Sequence, residues 1–291
     1  MPGTLFIVAT PIGNLEDITH RALRVLREVQ IVACEDTRHT QRLLHHFGIK
    51  TKTISYHEHN ERERAEELCR LLESGSNIAL VSDAGTPLVS DPGYRVVNAA
   101  IARAVPVVAI PGAAGFVAAL VASGMPADQF LFAGFLPSRA NARRAKLETL
   151  REIPATLIFY EAPHRLAATL KDALQVLGNR PAVVARELTK LHEEIARGTL
   201  TDLIERFSTQ PIRGEIVLII GAEAVGSSQE ETREISPQRL SERVSQLESE
   251  GISPKDALKK AARELGMKRA EAYRMMVSLK KASQGVKRNA N

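Results

Sequence analysis

Three loops in the first half of the chain combine small residues and prolines in a pattern that could hold a small molecule. They cover residues 9–14, 82–93 and 110–115, and each follows a short apolar run. Small residues let a backbone approach its ligand closely, and proline keeps such a loop rigid. Because the three loops carry no lysine or arginine, they suit a purine, a ribose and a charge-balanced tail better than a triphosphate.

The common nucleotide-binding fingerprints are absent from the sequence. The first loop lacks G-x-G-x-x-G, and no segment fits G-x-x-x-x-G-K-S/T. This disfavours a dinucleotide oxidoreductase and a P-loop nucleotide hydrolase. The sequence also lacks a cluster of His, Cys or Asp residues with metal-ligand spacing, so we expect no metal.

Alternating strand and helix patterns must position these loops. Short apolar runs that are typical of strands buried on both faces of a mainly parallel sheet lie at residues 5–9, 31–34, 53–56, 78–81 and 105–110. Ligands bind such sheets beyond the carboxyl ends of the strands, where the three loops lie. A second set of strand patterns lies at residues 131–133, 156–160, 183–186 and 216–220. We therefore predict an α/β protein with two open domains, residues 1–127 and 128–223.

The chain beyond the second domain has the composition of a linker and a small helical module. Residues 224–235 are rich in Gly, Ser and Glu, which predicts a flexible linker. Two Ser-Pro pairs in the module (residues 236–286), at 236–237 and 253–254, each place a capping hydroxyl before a proline that can start a helix. A third helix is expected at residues 268–281. Its short connection to the second resembles a helix-turn-helix, although a plain three-helix bundle explains the pattern equally.

The positive charge of the chain is concentrated near its end. The net charge is +5, yet residues 252–291 hold eleven Lys or Arg and three acids, a net +8 that leaves −3 for the other residues. This distribution points to a polyanionic partner, although a solvated charged face has the same composition. No apolar run approaches the roughly 20 residues of a membrane span, so we expect no membrane partner. The two isolated cysteines, Cys34 and Cys69, fit a reducing cytoplasm.

Six segments together resemble the tetrapyrrole-methylase superfamily, and within it the branch that methylates the 2′-oxygen of cytidine in rRNA. They are residues 4–14, 34–38, 82–93, 110–115, 159–165 and 185–190. The resemblance extends over about residues 4–222. Where tetrapyrrole methylases carry Gly-Asp-Pro after the fourth strand, this chain has Ser82-Asp83-Ala84. That departure favours the rRNA branch.

The resemblance implies that S-adenosylmethionine is held in a cleft between the two domains. Carried over position by position, it assigns cofactor binding to the loops after the fourth and fifth strands and to strand ends of the second domain. The residues so assigned are Asp83, Ala84, Gly85, Thr86, Pro111, Ala113, Ala114, Tyr160, Glu161, Leu188, Glu215 and Ile216.

Methylation of a ribose hydroxyl needs a base, because the hydroxyl is a weak acid whose proton must leave as the new bond forms. We assign this catalytic role to Asp36 and Glu187. Further candidates are Glu35, Glu161 and His164. Asp36 could instead form an ion pair with Arg38 that orders the loop, and His164 could cap a helix. Contacts with the phosphates of the substrate are expected from four cations near loop ends, Arg38, Arg165, Arg186 and Lys190.

The resemblance implies an enzyme that methylates the ribose of a decoding-centre cytidine in 16S rRNA. We expect it to act within the small ribosomal subunit, in the cytoplasm and as a homodimer. One alternative is methylation of a tetrapyrrole or of a protein residue by another member of the superfamily, against which the basic end of the chain argues. A second alternative is a ligand-responsive helix-turn-helix regulator, which would transfer no methyl group.

Overall fold

The computed structural model describes residues 1–208, 212–222, 237–264, 267, 272–276 and 278. Contacts along the chain divide it into two units, Met1–Val225 and Gly226–Asn291. The first unit contains both predicted sheets, and the second contains the first two of the three helices predicted beyond the linker. The domain bounds at residues 127 and 223 stay predictions.

The first sheet is parallel throughout, so the carboxyl ends of its strands meet at one edge. Its strands are β1 (Leu5–Val8), β2 (Ile31–Cys34), β3 (Lys52–Ser55), β4 (Ile78–Val81) and β5 (Val107–Ile110). They lie in the order β3-β2-β4-β1-β5. All four residues of β4 are buried, because side chains that point to opposite faces of the sheet are both covered by helices. The predicted parallel sheet is confirmed.

Helices cover both faces of the first sheet with apolar stripes at helical spacing. They are α1 (His20–Glu28), α2 (Thr37–His46), α3 (Glu61–Glu73) and α4 (Tyr94–Ala102). Thr19 caps α1 through a 3.1 Å hydrogen bond that Ala22 N donates to its Oγ1. Buried residues of α1 and α2 pack on one face of the sheet, and those of α3 and α4 pack on the other. This double cover holds the loops of the carboxyl edge in place.

The second sheet is mixed. Its strands are β6 (Phe130–Phe135), β7 (Thr156–Glu161), β8 (Pro181–Arg186), β9 (Glu194–Thr199) and β10 (Ile216–Ile220). In the order β6-β7-β10-β8-β9 the first pair is parallel and the other pairs are antiparallel. The sequence patterns miss β9 because polar residues interrupt its apolar ones, so that it contains no apolar run. It is an edge strand that antiparallel pairing with β8 holds in place.

One helix of the first unit brings the two sheets together. The second sheet packs one face against α6 (Ala140–Glu148), α7 (Leu166–Leu177) and α8 (Leu200–Ser208). Its other face packs against Ala119 and Leu120 of α5 (Gly115–Ser123). Because α5 starts five residues beyond β5, it places the loop after β5 beside the second sheet. The predicted fold class, α/β with two open sheets, is confirmed.

In the described part of the second unit, two helices enclose a small core together with the helical residues 272–276. These helices, α9 (Pro237–Ser249) and α10 (Pro254–Glu264), begin at the prolines that the sequence predicts. Their buried residues include Leu240, Val244, Leu247, Ala257 and Ala261. Most of the predicted third helix, including Lys268 and Arg269, lies outside the described residues, so the helix-turn-helix stays a prediction. Nowhere in the described part of the chain is a helix long and apolar enough to cross a membrane.

Candidate functional site

A cavity of about 300 Å³ lies within the first unit, at the carboxyl edge of the first sheet and against one end of the second. Ten of the twelve residues that the sequence assigns to cofactor binding line it. They are Asp83, Ala84, Gly85, Thr86, Ala114, Tyr160, Glu161, Leu188, Glu215 and Ile216. The lining residues that the sequence does not assign are Ile12, Val89, Ser90, Asp91, Gly115, Phe135 and Val217.

The three small-residue loops are tied to one another around this cavity. Thr10 and Gly85 exchange backbone hydrogen bonds of 2.8 and 3.1 Å, which join the first loop to the fourth-strand loop. Thr86 Oγ1 donates a 3.0 Å hydrogen bond to the carbonyl of Ala113 in the fifth-strand loop. Gly85 has a φ of +82°, a conformation that glycine adopts without strain. The loops therefore form one rigid wall.

The two assigned residues that do not line the cavity support this wall. Ala113 accepts the hydrogen bond from Thr86. Pro111 precedes Gly112, whose backbone lies so close to the first loop that an added Cβ would be 2.9 Å from the Cβ of Ala9. Their neighbour Ala114 does line the cavity. Direct contact of Pro111 and Ala113 with a cofactor stays a prediction.

Aromatic rings form the wall on the side of the second sheet. The ring of Tyr160 packs edge-on against Phe132, with 5.0 Å between centroids, and lies 5.6 Å from Phe135. Burial raises the pKa of the Tyr160 phenol. A Cβ at Gly115 would come within 3.5 Å of its hydroxyl oxygen. Phe135 and Tyr160 thus offer apolar surface to a flat ligand.

Four carboxylates line the cavity, and none of its lining residues is a lysine or arginine. They are Asp83, Asp91, Glu161 and Glu215. Glu161 is buried and fully engaged, since it accepts hydrogen bonds from Thr169 Oγ1 at 2.5 Å and from Ala162 N at 2.8 Å. Asp83 Oδ1 accepts a 3.0 Å hydrogen bond from the backbone of Asp36. The cavity is therefore suited to a ligand that carries positive charge.

Asp36, a predicted base, lies next to the cavity rather than in its lining. It caps α2, and its carboxylate accepts hydrogen bonds from Arg38 N at 2.8 Å, Nε at 3.1 Å and Nη2 at 2.8 Å. The hydrogen bonds and charge of Arg38 hold the pKa of this carboxyl far below its usual range. The predicted ion pair is present, and the Arg38 side chain is 85% exposed.

Glu187, the other predicted base, is held by the turn that follows β8. Its Oε1 accepts hydrogen bonds of 3.0 Å from Lys190 Nζ and from Glu215 N. The hydrogen bond from Lys190 lowers the pKa of the Glu187 carboxyl. Gly214 packs so closely that an added Cβ would collide with the Glu187 side chain. Glu187 does not line the cavity, although Leu188 and Glu215 do.

The remaining predicted cations differ in how accessible they are. Arg165 turns inward, where it pairs with Glu161 at 3.2 Å and keeps only 20% of its side chain exposed. Arg186 pairs with Glu194 on the neighbouring strand. Lys190 bridges Glu187 and Glu215, which lies 3.1 Å from its Nζ.

Two further candidate bases lie near the carboxyl edges of the sheets. His164 is exposed, within a 3-10 turn that precedes α7. Glu35 follows β2, and burial together with Asp83 raises the pKa of its carboxyl. Within the residues that the structure describes, no group of three or more His, Cys, Asp or Glu side chains could hold a metal ion.

Comparisons with known proteins place this chain in a family. The family model of the tetrapyrrole (corrin/porphyrin) methylases matches residues 4–204. Ribosomal RNA small subunit methyltransferase I of Halalkalibacterium halodurans is 47% identical over 93% of this chain and 93% of its own length. The protein of that name from Pseudomonas aeruginosa is 51% identical over 77% of this chain and 83% of its own length.

Solved structures show the same fold at low sequence identity. Diphthine synthase is 17% identical, with a TM-score of 0.59 over 76% of this chain and 90% of that chain. Uroporphyrin-III C-methyltransferase from Thermus thermophilus, complexed with S-adenyl homocysteine, is 21% identical, with a TM-score of 0.53 over 75% of this chain and 97% of that chain. The predicted superfamily is confirmed: the chain belongs to the tetrapyrrole methylases and, within them, to the family of the ribosomal RNA small subunit methyltransferases I.

Proposed function

We propose that the protein methylates the ribose 2′-oxygen of a decoding-centre cytidine in 16S rRNA, with S-adenosylmethionine as the methyl donor. The observation that carries this proposal is the cavity, whose wall contains ten residues that the sequence assigns to the cofactor. Membership of a family of rRNA methyltransferases supports the substrate. The related fold that holds S-adenyl homocysteine supports the cofactor.

The cavity wall fits the chemistry of S-adenosylmethionine. Its loops of small residues leave space beside the backbone, and Phe135 and Tyr160 offer apolar surface to a purine. Its carboxylates can accept hydrogen bonds from ribose hydroxyls and from an ammonium group. The lack of Lys and Arg in the lining suits a cationic ligand. When bound, S-adenosylmethionine supplies an electrophilic methyl group.

Asp36 is the better placed of the two proposed bases. Its backbone is hydrogen-bonded to the cavity residue Asp83, so its carboxylate lies at the cavity's margin. Arg38, which suppresses the basicity of this carboxylate, has an exposed side chain. Exposed ion pairs contribute little to stability and are easily exchanged. A phosphate of the bound RNA can therefore replace Asp36 as the ion-pair partner of Arg38. The carboxylate of Asp36 is then free to accept the proton of the ribose hydroxyl.

Glu187 is the second proposed base. Lys190 forms an ion pair with its carboxylate, as Arg38 does with the carboxylate of Asp36. Lys190 is held by two carboxylates and is less exposed than Arg38, at 29% of its side chain. Release of Glu187 thus requires a larger rearrangement of the turn after β8. This difference makes Asp36 the favoured base and Glu187 its alternative.

Recognition of the RNA is assigned to cations in both units. Arg38, Arg186 and Lys190 lie near the loops of the first unit, whereas Arg165 turns inward to Glu161. In the second unit, α10 exposes four cations, Lys255, Lys259, Lys260 and Arg263. Such contacts with phosphates fix the register of a nucleic acid without reading its sequence.

The protein is further proposed to act in the cytoplasm as a homodimer on the small ribosomal subunit. Cys34 and Cys69 are free and buried, which suits a reducing compartment. Val121 of α5 and Phe130 of β6 are exposed at 73% and 44%, and such apolar side chains suit contact between subunits.

The proposal is tested by incubating the protein with S-adenosylmethionine labelled in its methyl group. Free 16S rRNA and small subunits that lack the modification are supplied in parallel. We expect label in the small subunit, at one cytidine whose neighbouring phosphodiester bond resists alkaline hydrolysis. Replacement of that nucleotide by 2′-deoxycytidine should abolish labelling.

Three other outcomes would redirect the proposal. Label on a base atom would exclude ribose methylation. Label on a tetrapyrrole or a protein, with none on RNA, would favour another activity of the superfamily. Binding of S-adenosylmethionine without transfer to any of these acceptors would favour a ligand-responsive regulator.

A further inference from the structure

Asp91 is a cavity-lining carboxylate that the proposed mechanism does not use. It lies in the fourth-strand loop directly after two residues in strained backbone conformations, since Leu88 and Ser90 have φ values of +72° and +66°. Beyond it, Gly93 packs so tightly that a Cβ would come within 2.9 Å of Leu80. This loop is held to α3 by a 3.2 Å hydrogen bond from Gly93 N to Glu61 Oε1. The carboxylate is therefore fixed in place.

The charged groups that act on Asp91 are themselves acidic. Glu35 approaches from the loop after β2 and Asp83 from the loop after β4. The phenol of Tyr160 faces it from β7. Burial, followed by the charge of Glu35, raises the pKa of the Asp91 carboxyl to about 6, against the opposing effect of the Ser82 hydroxyl.

We propose that Asp91 distinguishes the methyl donor from its demethylated product, because methyl transfer removes a positive charge from the cavity that Asp91 lines together with Asp83. This inference rests on the proposed use of S-adenosylmethionine. The donor carries a sulfonium, an ammonium and a carboxylate, a net charge of +1. The product carries a neutral thioether in place of the sulfonium, so its net charge is zero. The product is therefore held less tightly and leaves after each turnover.

The charge difference between donor and product predicts that only the affinity for the donor depends on the ionisation of Asp91, and therefore on pH. A nearby positive charge lowers the pKa of a carboxyl group by about 1 to 3 pH units. Binding of the donor near pH 6 should therefore release a proton from Asp91. As the pH falls through 6, Asp91 is protonated and the affinity for the donor falls. The affinity for the product should change little over the same range.

The test is calorimetric titration of the full-length protein with S-adenosylmethionine and with S-adenosylhomocysteine between pH 5 and pH 8. If the donor lowers the pKa of Asp91 by about 2, its affinity falls about tenfold between pH 7 and pH 5. The affinity for S-adenosylmethionine divided by that for S-adenosylhomocysteine should fall by the same factor. Buffers with different ionisation enthalpies should report about half a proton released per donor bound at pH 6. Equal pH dependence of the two ligands would overturn the inference.

Three substitutions make the result specific. Asp91→Asn should lower the affinity for the donor at pH 7 to its value at pH 5 and remove the pH dependence. Asp128→Asn, the same change at an exposed position outside the cavity lining, should leave the wild-type profile. If Asp91→Asn fails to fold, Glu35→Gln still tests the idea, because loss of this neighbouring charge should move the midpoint to lower pH. An unmoved midpoint in Glu35→Gln would count against the inference.

The role of Asp91 and the proposed function are overturned by different results. Failure of the wild-type protein to bind S-adenosylmethionine at any pH would overturn the proposed function itself. Tight binding of both ligands with an affinity ratio that does not change with pH, or with Asp91→Asn, would overturn only the role of Asp91.

Discussion

The backbone nitrogen of Asp36 donates a 3.0 Å hydrogen bond to Oδ1 of Asp83. This bond links Asp36, the cap residue of α2, to Asp83 in the cavity wall. Asp36 is therefore held at a fixed distance from the cavity although it does not line it. The carboxylate of Asp36 stays outside, in its exposed pair with Arg38. The proposed base can therefore respond to bound RNA without a change in the cavity wall.

Asp36→Asn should reduce the rate of a single turnover while the affinity for S-adenosylmethionine stays near wild type. General-base catalysis contributes about 10²–10⁴ in rate, and an amide cannot accept the proton. Asparagine caps helices as well as aspartate does, so α2 should remain intact. The measurement is rapid-quench transfer to small subunits at saturating cofactor. A wild-type rate would exclude Asp36 as the base.

Glu187→Gln tests the alternative base by the same measurement. Glutamine keeps an oxygen that can accept the hydrogen bond from Glu215 N but loses the ion pair with Lys190. We expect a smaller loss of rate than in Asp36→Asn, because Glu187 is more firmly held. A larger loss of rate in Glu187→Gln than in Asp36→Asn would make Glu187 the favoured base. Full single-turnover rates in both variants would leave alignment of the reactants as the main source of acceleration.

Ala84→Leu should weaken binding of S-adenosylmethionine without a large loss of stability. Ala84 lines the cavity and is exposed, so a longer side chain fills ligand space. Gly85→Val makes a contrasting change. Because Gly85 has a φ of +82° and bonds to Thr10, valine should cost about 1–3 kcal/mol of unfolding free energy as well as affinity. Calorimetry and thermal unfolding of both variants separate the two effects. Unchanged affinity in Ala84→Leu would show that the cofactor lies elsewhere.

The local part of the site is predictable from the sequence, whereas its long-range contacts are not. Residues 83–86 line the cavity as expected, because the carboxyl end of a buried parallel strand fixes where its loop lies. The pairing of β10 with β8 brings Glu215 beside Glu187 across 28 residues, and no periodicity encodes that contact. Arg165 resembles a surface cation in the sequence, yet Glu161 draws it inward.

The limits of periodicity also explain the elements and lining residues that the sequence misses. The edge strand β9 depends on its pairing with β8 rather than on an apolar pattern. Phe135 lies at the end of β6, beyond the run of residues 131–133 that predicts this strand. Asp91 lies in a loop that the sequence singles out, but its burial beside Glu35 and Asp83 depends on the packing of neighbouring strands.

The second unit is expected to strengthen RNA binding without taking part in the chemistry. Replacement of Lys255, Lys259, Lys260 and Arg263 by glutamine removes four exposed cations from α10 and leaves its buried alanines in place. Each lost phosphate contact should reduce the slope of log affinity against log salt by about 0.7–0.9. The affinity for S-adenosylmethionine should not change, since the cavity lies within the first unit.

A chain truncated after Ala222 extends this test to the whole second unit. It should bind S-adenosylmethionine, bind rRNA more weakly with a flatter salt dependence, and methylate slowly at high RNA concentration. The quadruple glutamine variant serves as the control, because it changes charge while keeping α9 and α10. Salt slopes equal to wild type in both proteins would assign these helices to packing or dimerisation. Loss of cofactor binding in the truncated chain alone would show that the second unit is needed to form the cavity.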